Sequence, residues 1–181
     1  MIKFDSCAVF CGSRFGNDPA FRIEAEKTAQ ILAKHKITLI YGGGNTGLMG
    51  VVATSCLEAG GKVKGIIPTF LTSVETAHPD VTDLEITENM AIRKIKMIKA
   101  SDASIILPGG LGTFDELLEV LVERQLGLSQ KPIFLLNIQG WANPLLEAFQ
   151  AAIAQGFADQ KILDFLEIFP TADAFENHLS A

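Results

Sequence analysis

The chain has 181 residues, of which 48% are hydrophobic and 20% charged, with a formal net charge of −6. That length suits one domain burying roughly 70% of its unfolded surface, and the composition excludes a disordered chain. The negative charge, without any run of Lys or Arg, argues against a nucleic-acid backbone as partner, whereas an anion held by backbone amides is compatible with it.

Three cysteines, Cys7, Cys11 and Cys56, suit a reducing compartment and no disulfide framework. The segment Met1-Ile2-Lys3-Phe4-Asp5 carries an early acid and leads into a strand, so it does not read as a signal peptide. No apolar run approaches the roughly 18 residues of a membrane span. The expected location is the cytoplasm.

Strand and helix signals alternate along the chain. Residues 7–10 form a short apolar run broken at Gly12. Asp18-Pro19 starts a helix, with Asp as cap and Pro in the first turn, which carries Phe21, Ala25, Thr28, Ala29 and Leu32 and ends near His35. Strand 38–41 stops at Gly42-Gly43-Gly44, helix 47–59 closes at Gly60-Gly61, and strand 63–67 ends at Pro68. Residues 69–82 read as a loop or short helices, with His78 at the surface or a pocket rim. Helix 89–100 follows, with Ile92, Ile95 and Ile98 toward the core and Arg93-Lys94 as a solvent-exposed basic pair. Then come strand 103–107, helix 113–126, strand 133–136 and helix 143–155. The remainder reads as short helices on the rim, with a strand at 166–169. Repeated β-α units with wholly apolar strands predict a Rossmann-like, doubly wound parallel sheet with helices on both faces, in one domain spanning 1–181. Ligands of such sheets lie beyond the carboxyl ends of the strands.

Three strand-to-helix turns are glycine-rich: Cys11-Gly12-Ser13, Gly42 to Gly47, and Pro108-Gly109-Gly110-Leu111-Gly112-Thr113. Glycine lets backbone approach a ligand closely, and the following helix directs free N–H groups and its positive end at the same space. That combination suits a phosphate. A G-x-G-x-x-G after the first strand and a Gly-Lys-Ser/Thr in the last turn are both missing, so a monophosphate is favoured over a pyrophosphate or triphosphate. In the third turn Thr113 is placed to cap the helix, and Glu116 lies one turn further on. By periodicity alone Glu116, Glu119 and Glu123 form one solvated polar stripe.

Together these residues resemble the LONELY GUY family of cytokinin-activating enzymes. The resemblance rests on Phe10-Cys11-Gly12-Ser13, Tyr41-Gly42-Gly43-Gly44 with Gly47-Leu48-Met49-Gly50, Arg93-Lys94, the Pro108 to Glu116 motif and Gln125-Leu126-Gly127. It implies a homodimeric enzyme that hydrolyses nucleoside 5′-monophosphates, AMP and cytokinin riboside monophosphates among them, to free base and ribose 5-phosphate. It implies Arg93 and Glu116 as the catalytic pair. Substrate or phosphate binding is expected at Gly12, Ser13, Gly43, Gly44, Glu75, Met90, Arg93, Lys94, Gly109, Gly110, Leu111, Gly112, Thr113, Phe114 and Asp115, with neither metal nor cofactor. A carboxylate suits stabilisation of an oxocarbenium-like sugar and activation of water, whereas Arg93 is too basic to donate a proton. The acid that protonates the departing base stays unassigned. Ala91 stands where the family has His, Arg14 where it has a second Ser, and Val122-Glu123-Arg124 where it often has Thr-Trp-Ala, all around the expected pocket.

Other chemistries fit less well. A nucleotide or molybdenum-cofactor carrier or sensor would use Gly109 to Thr113 without needing Glu116. The lysine decarboxylase label often given to the family needs a Schiff-base lysine in a recognisable context, which is missing. His35, His78 and His178 are scattered, without metal-site spacing, and no G-x-S-x-G elbow is present.

Overall fold

The computed structural model describes residues 4–72, 76–81 and 83–181. Its sheet has seven strands: β1 (Ser6–Phe10), β2 (Thr38–Tyr41), β3 (Val63–Pro68), β4 (Asp83–Thr87), β5 (Ala103–Ile106), β6 (Ile133–Leu136) and β7 (Leu166–Phe169). They run in the order β4-β3-β2-β1-β5-β6-β7, and every pairing is parallel. The helices are α1 (Pro19–Lys34), α2 (Gly47–Glu58), α3 (Met90–Ala100), α4 (Leu111–Gln125), α5 (Asn143–Ala154), α6 (Lys161–Asp164) and α7 (Ala172–Ser180).

Two apolar layers cover the sheet. On one face α1, α2 and α7 bury Leu32, Leu48, Val52 and Phe175 against Val9, Leu39 and Phe134. On the other, α3 and α4 bury Met97, Leu117 and Leu121 against Phe10, Ile40 and Leu135. Strands with apolar side chains on both faces are what a sheet covered on both sides requires. The predicted cap of α1 is present, the Asp18 carboxylate accepting the Ala20 N–H at 2.8 Å.

Strand β4 is an addition to the sequence reading. Its polar residues Asp83 and Glu85 disguise it, but they sit on the sheet edge, where Lys64 of β3 and Lys96 of α3 answer them. Helix α3 also turns differently from expectation. Arg93, Met97 and Ile98 are buried, Ile92 is half-buried and Ile95 is exposed. The guanidinium displaces isoleucine from the core face because backbone acceptors wait for it there. His78 is buried rather than at the surface: its Nε2 lies 2.9 Å from Thr54 Oγ1, and the Asp80 N–H reaches its Nδ1 at 3.3 Å. Burial pushes the imidazole below the usual histidine range, against the opposing pull of Asp80.

The direction of winding reverses between β1 and β5. Strands β2 to β4 extend one way and β6 and β7 the other, which opens a crevice beyond the carboxyl ends of the central pair.

Candidate active site

A cavity of about 810 Å³ fills that crevice. The turns after β1 and β5 form its floor and touch each other: the Gly12 N–H is donated to the Pro108 carbonyl at 3.0 Å, and the Gly12 carbonyl accepts the Leu48 N–H at 3.0 Å. The Gly12 amide is therefore spent on the fold and is not a phosphate donor, although the residue lines the cavity with Ser13. A Cβ on Gly109 would press on Gly12 N and on Thr113, so packing alone requires glycine there.

Gly110 and Gly112 differ. A Cβ at either would meet nothing within 4 Å, and neither has a positive φ. Nothing in the folded chain demands glycine at these two places, whereas a ligand lying on the backbone would. Helix α4 begins at Leu111 with Gly110 as its cap, earlier than the predicted Thr113 cap; Thr113 is instead buried in the first turn. Phe114 N–H, bonded to Gly110 O, makes the first intrahelical bond, so among the described residues the amides of Leu111, Gly112 and Thr113 have no acceptor and can bind an anion. Gly112→Ala should accordingly leave the melting temperature unchanged or slightly higher, because Ala gains roughly 0.5–1 kcal/mol over Gly inside a helix. It should raise KM for a nucleotide at least about tenfold by blocking the amides. Melting and steady-state kinetics on one preparation check both.

Arg93 reaches the cavity from α3. It is only 6% exposed, with Nε donating to Ile66 O at 3.1 Å, Nη2 to Gly42 O at 3.2 Å and Nη1 to Met90 Sδ at 3.5 Å. A guanidinium has five N–H groups, so these three bonds leave two for a ligand. The exposed basic pair expected from sequence is thus divided, because Lys94 turns away and pairs with Asp115 at 2.8 Å and Glu119 at 2.6 Å on α4.

Glu116 lines the same cavity from α4. It is 7% exposed, and among the described residues nothing hydrogen-bonds its carboxylate. The predicted stripe is divided: Glu116 lines the cavity and Glu119 meets Lys94 of α3, which is why both are shielded. Loss of water pushes the Glu116 carboxyl up to about 7, with Asp115 and Glu119 adding to the rise and Arg93 and Lys94 opposing it. A carboxyl that titrates near neutrality in a cavity beside a cation is equipped for acid-base or charge-stabilising work.

Of the residues expected at the site, Met90, Arg93, Gly109, Gly110, Leu111, Gly112, Thr113, Phe114 and Glu116 converge on the cavity with Gly12 and Ser13. Gly43, Gly44, Lys94 and Asp115 do not line it. Gly43 and Gly44 hold the segment after residue 75 instead, through His78 N–H to Gly43 O at 3.2 Å and a bridge from Gly44 to Ala77. Glu75 lies outside the described residues. Sequence reasoning named Cys11 only as part of a glycine-rich turn and missed Trp141. The Cys11 thiol is pushed up by burial and by the nearby Glu116 charge, and it lines the wall. Trp141 stacks on Phe114 with centroids 5.4 Å apart and rings 1° from parallel, its indole N–H held by Leu136 O. The rule placing ligands beyond strand carboxyl ends would have found Trp141, which follows β6 by a short turn.

A family model described as "Possible lysine decarboxylase" matches residues 49–179. In Oryza sativa subsp. japonica, the "Probable cytokinin riboside 5'-monophosphate phosphoribohydrolase LOGL1" is 41% identical over 94% of this chain and 76% of that protein. This chain belongs to the LONELY GUY family. Another member, the "Cytokinin riboside 5'-monophosphate phosphoribohydrolase LOG1" of Arabidopsis thaliana, is 39% identical over 94% of this chain and 80% of its own length. Among solved structures, the molybdenum cofactor binding protein of the phototrophic bacterium Rippkaea orientalis superposes with a TM-score of 0.71 at 22% identity, covering 99% of this chain and 98% of that one. That likeness bears on the Rossmann-like fold. The decarboxylase description of the family gains nothing from the cavity, since among the described residues no lysine lines it.

Proposed function

We propose that this chain, as one nucleotide-binding α/β unit, hydrolyses the N-glycosidic bond of nucleoside 5′-monophosphates, releasing free base and ribose 5-phosphate. The observation that carries this reading is that a buried Glu116, without a hydrogen-bond partner among the described residues, and a buried Arg93 line one cavity together with the amide-bearing start of α4. The phosphate lies on the amides of Leu111, Gly112 and Thr113, with the positive end of the helix behind it. Arg14, which lines the same cavity and has no ion pair among the described residues, supplies a further positive charge. The ribose then spans from this turn toward Glu116.

Ionised Glu116 stabilises the positive charge that develops on the sugar and orients or deprotonates the attacking water, while Arg93 fixes the ribose with its two remaining N–H groups. With a carboxyl titrating at about 7, kcat rises through neutral pH and levels off above it. The names of the family members support cytokinin riboside monophosphate substrates, and AMP carries the same glycosidic bond and 5′-phosphate without the prenyl group. The three buried free cysteines support a reducing cytoplasm. Ile95 on α3, with Leu118 and Val122 on α4 and Leu126 at its end, exposes an apolar strip that supports a homodimer, for which a molecular mass by light scattering is the check.

The reading is tested by chromatography of the products after incubating the protein with AMP, isopentenyladenosine monophosphate, IMP, GMP and CMP. Release of free base from AMP or its prenylated analogue is expected. Intact nucleotides in every tube, with binding still measurable, would favour the carrier or sensor role instead.

A further inference from the structure

Arg93 and Lys94 are adjacent in sequence and serve different surroundings. Arg93 faces the cavity. Lys94 does not line it, and its side chain is only 15% exposed, held between Asp115 and Glu119. Those two carboxylates flank Glu116 on α4. Burial works against the charge on Lys94, and the pair of carboxylates more than offsets it. One side chain of α3 thus ties down the first turns of α4, and the helix that carries the cation is fixed to the helix that carries the catalytic carboxylate.

We propose that Lys94 is a positioning residue, which holds Glu116 beside Arg93 and neutralises the two carboxylates that flank it, rather than a ligand of the substrate. This rests on the phosphoribohydrolase reading. The charged and titratable groups facing Glu116 are Arg93 and Lys94 from α3, Asp115 and Glu119 from α4 itself, and the Cys11 thiol from the turn after β1. Arg93 and Lys94 favour the ionised carboxylate; burial, Asp115 and Glu119 oppose it. Removing Lys94 deletes one favourable charge and unmasks two unfavourable ones, so Glu116 gives up its proton at higher pH. If Lys94 instead contacted substrate, removing it would weaken binding and leave that titration in place.

The test compares wild type with Lys94→Met, following kcat and KM for AMP against pH, together with a carbon NMR titration of the Glu116 carboxyl in ligand-free protein. KM should stay within about twofold, while the rising limb of kcat and the NMR midpoint both move up by about 0.5 pH or more, lowering kcat at pH 6.5 roughly threefold. Asp115→Asn should move the limb the other way, and adding Glu119→Gln to Lys94→Met should return it toward wild type. Lys94→Arg keeps both ion pairs and should match wild type. If Lys94→Met does not fold, Asp115→Asn and Lys94→Arg carry the test alone. A KM raised tenfold or more with an unmoved midpoint would overturn the proposal. Should wild type release no adenine, the reaction reading fails, and the NMR midpoints still decide whether Lys94 acts on Glu116.

Discussion

Glu116→Gln is expected to lower kcat for AMP about a thousandfold and, at pH 8, to make the protein harder to unfold. Both effects have one origin. The carboxyl is buried without a hydrogen-bond partner among the described residues, and loss of water raises it from 4.5 to about 7. An acid that binds its proton more tightly when folded adds stability that is fully present below the unfolded value and lost as pH rises through the folded one. The native protein therefore carries, above pH 7, a penalty on the order of 3 kcal/mol for keeping Glu116 ionised. Glutamine has the same shape and no charge. The melting temperature of the variant should exceed that of wild type by on the order of 5–10 °C at pH 8 and nearly coincide with it at pH 5. Melting curves at the two pH values, with adenine release on the same samples, test the pairing. A gain of equal size at both pH values would assign the effect to packing, and a loss of kcat smaller than tenfold would remove Glu116 from the chemistry.

The second large effect is expected at a residue with no side chain. Gly42 follows β2 and offers its carbonyl to Arg93, and a Cβ added there would fall on the guanidinium. In Gly42→Ala the guanidinium must shift off the Gly42 carbonyl, which also strains its bond to the Ile66 carbonyl and moves its charge from the seat it has among the described residues. Stability should fall by about 2–3 kcal/mol, because a buried charged group loses a hydrogen bond and a buried carbonyl loses its donor. With Arg93 displaced, kcat/KM for AMP should fall at least about a hundredfold, since this removes both a sugar anchor and the charge beside Glu116. Unlike Gly43, with φ of 77°, Gly42 has no positive φ, so the change adds no backbone strain and the loss reports on the guanidinium. Gly112→Ala on the same preparation is the control: it fills open space and should spare stability. Near-normal melting and kinetics in Gly42→Ala would mean that Arg93 is seated elsewhere.

Residues such as 38–41 and 133–136 were legible as strands because they are apolar on both faces, and the glycines that follow β1, β2 and β5 marked the site. Strand β4 was not legible, because Asp83 and Glu85 are balanced by lysines from β3 and α3 that no local pattern connects to them. The pairing of Arg93 with Glu116 came from the resemblance, while their burial did not. Arg93 is held by two main-chain oxygens and a methionine sulfur, and a carbonyl leaves no mark in a sequence. Periodicity sent Glu116 to solvent because it reports which residues share a helix face and not what that face meets. The same limit applied to the isoleucines of α3, where Ile95 is exposed and Arg93 is not.

Helix α3 links β4, at one border of the sheet, to β5 at its centre, and so travels over β3, β2 and β1 on the way. The carbonyls it caps come 27 and 51 residues before Arg93 in the chain. Such distant partners are slow to find each other, because the entropy of closing long loops must be met before the contacts form. On refolding from denaturant, helix content and sheet pairing in the first half can thus return before the crossover has docked. Catalytic competence is then the late event, and the lag between recovered circular dichroism and recovered turnover times the arrival of a single arginine.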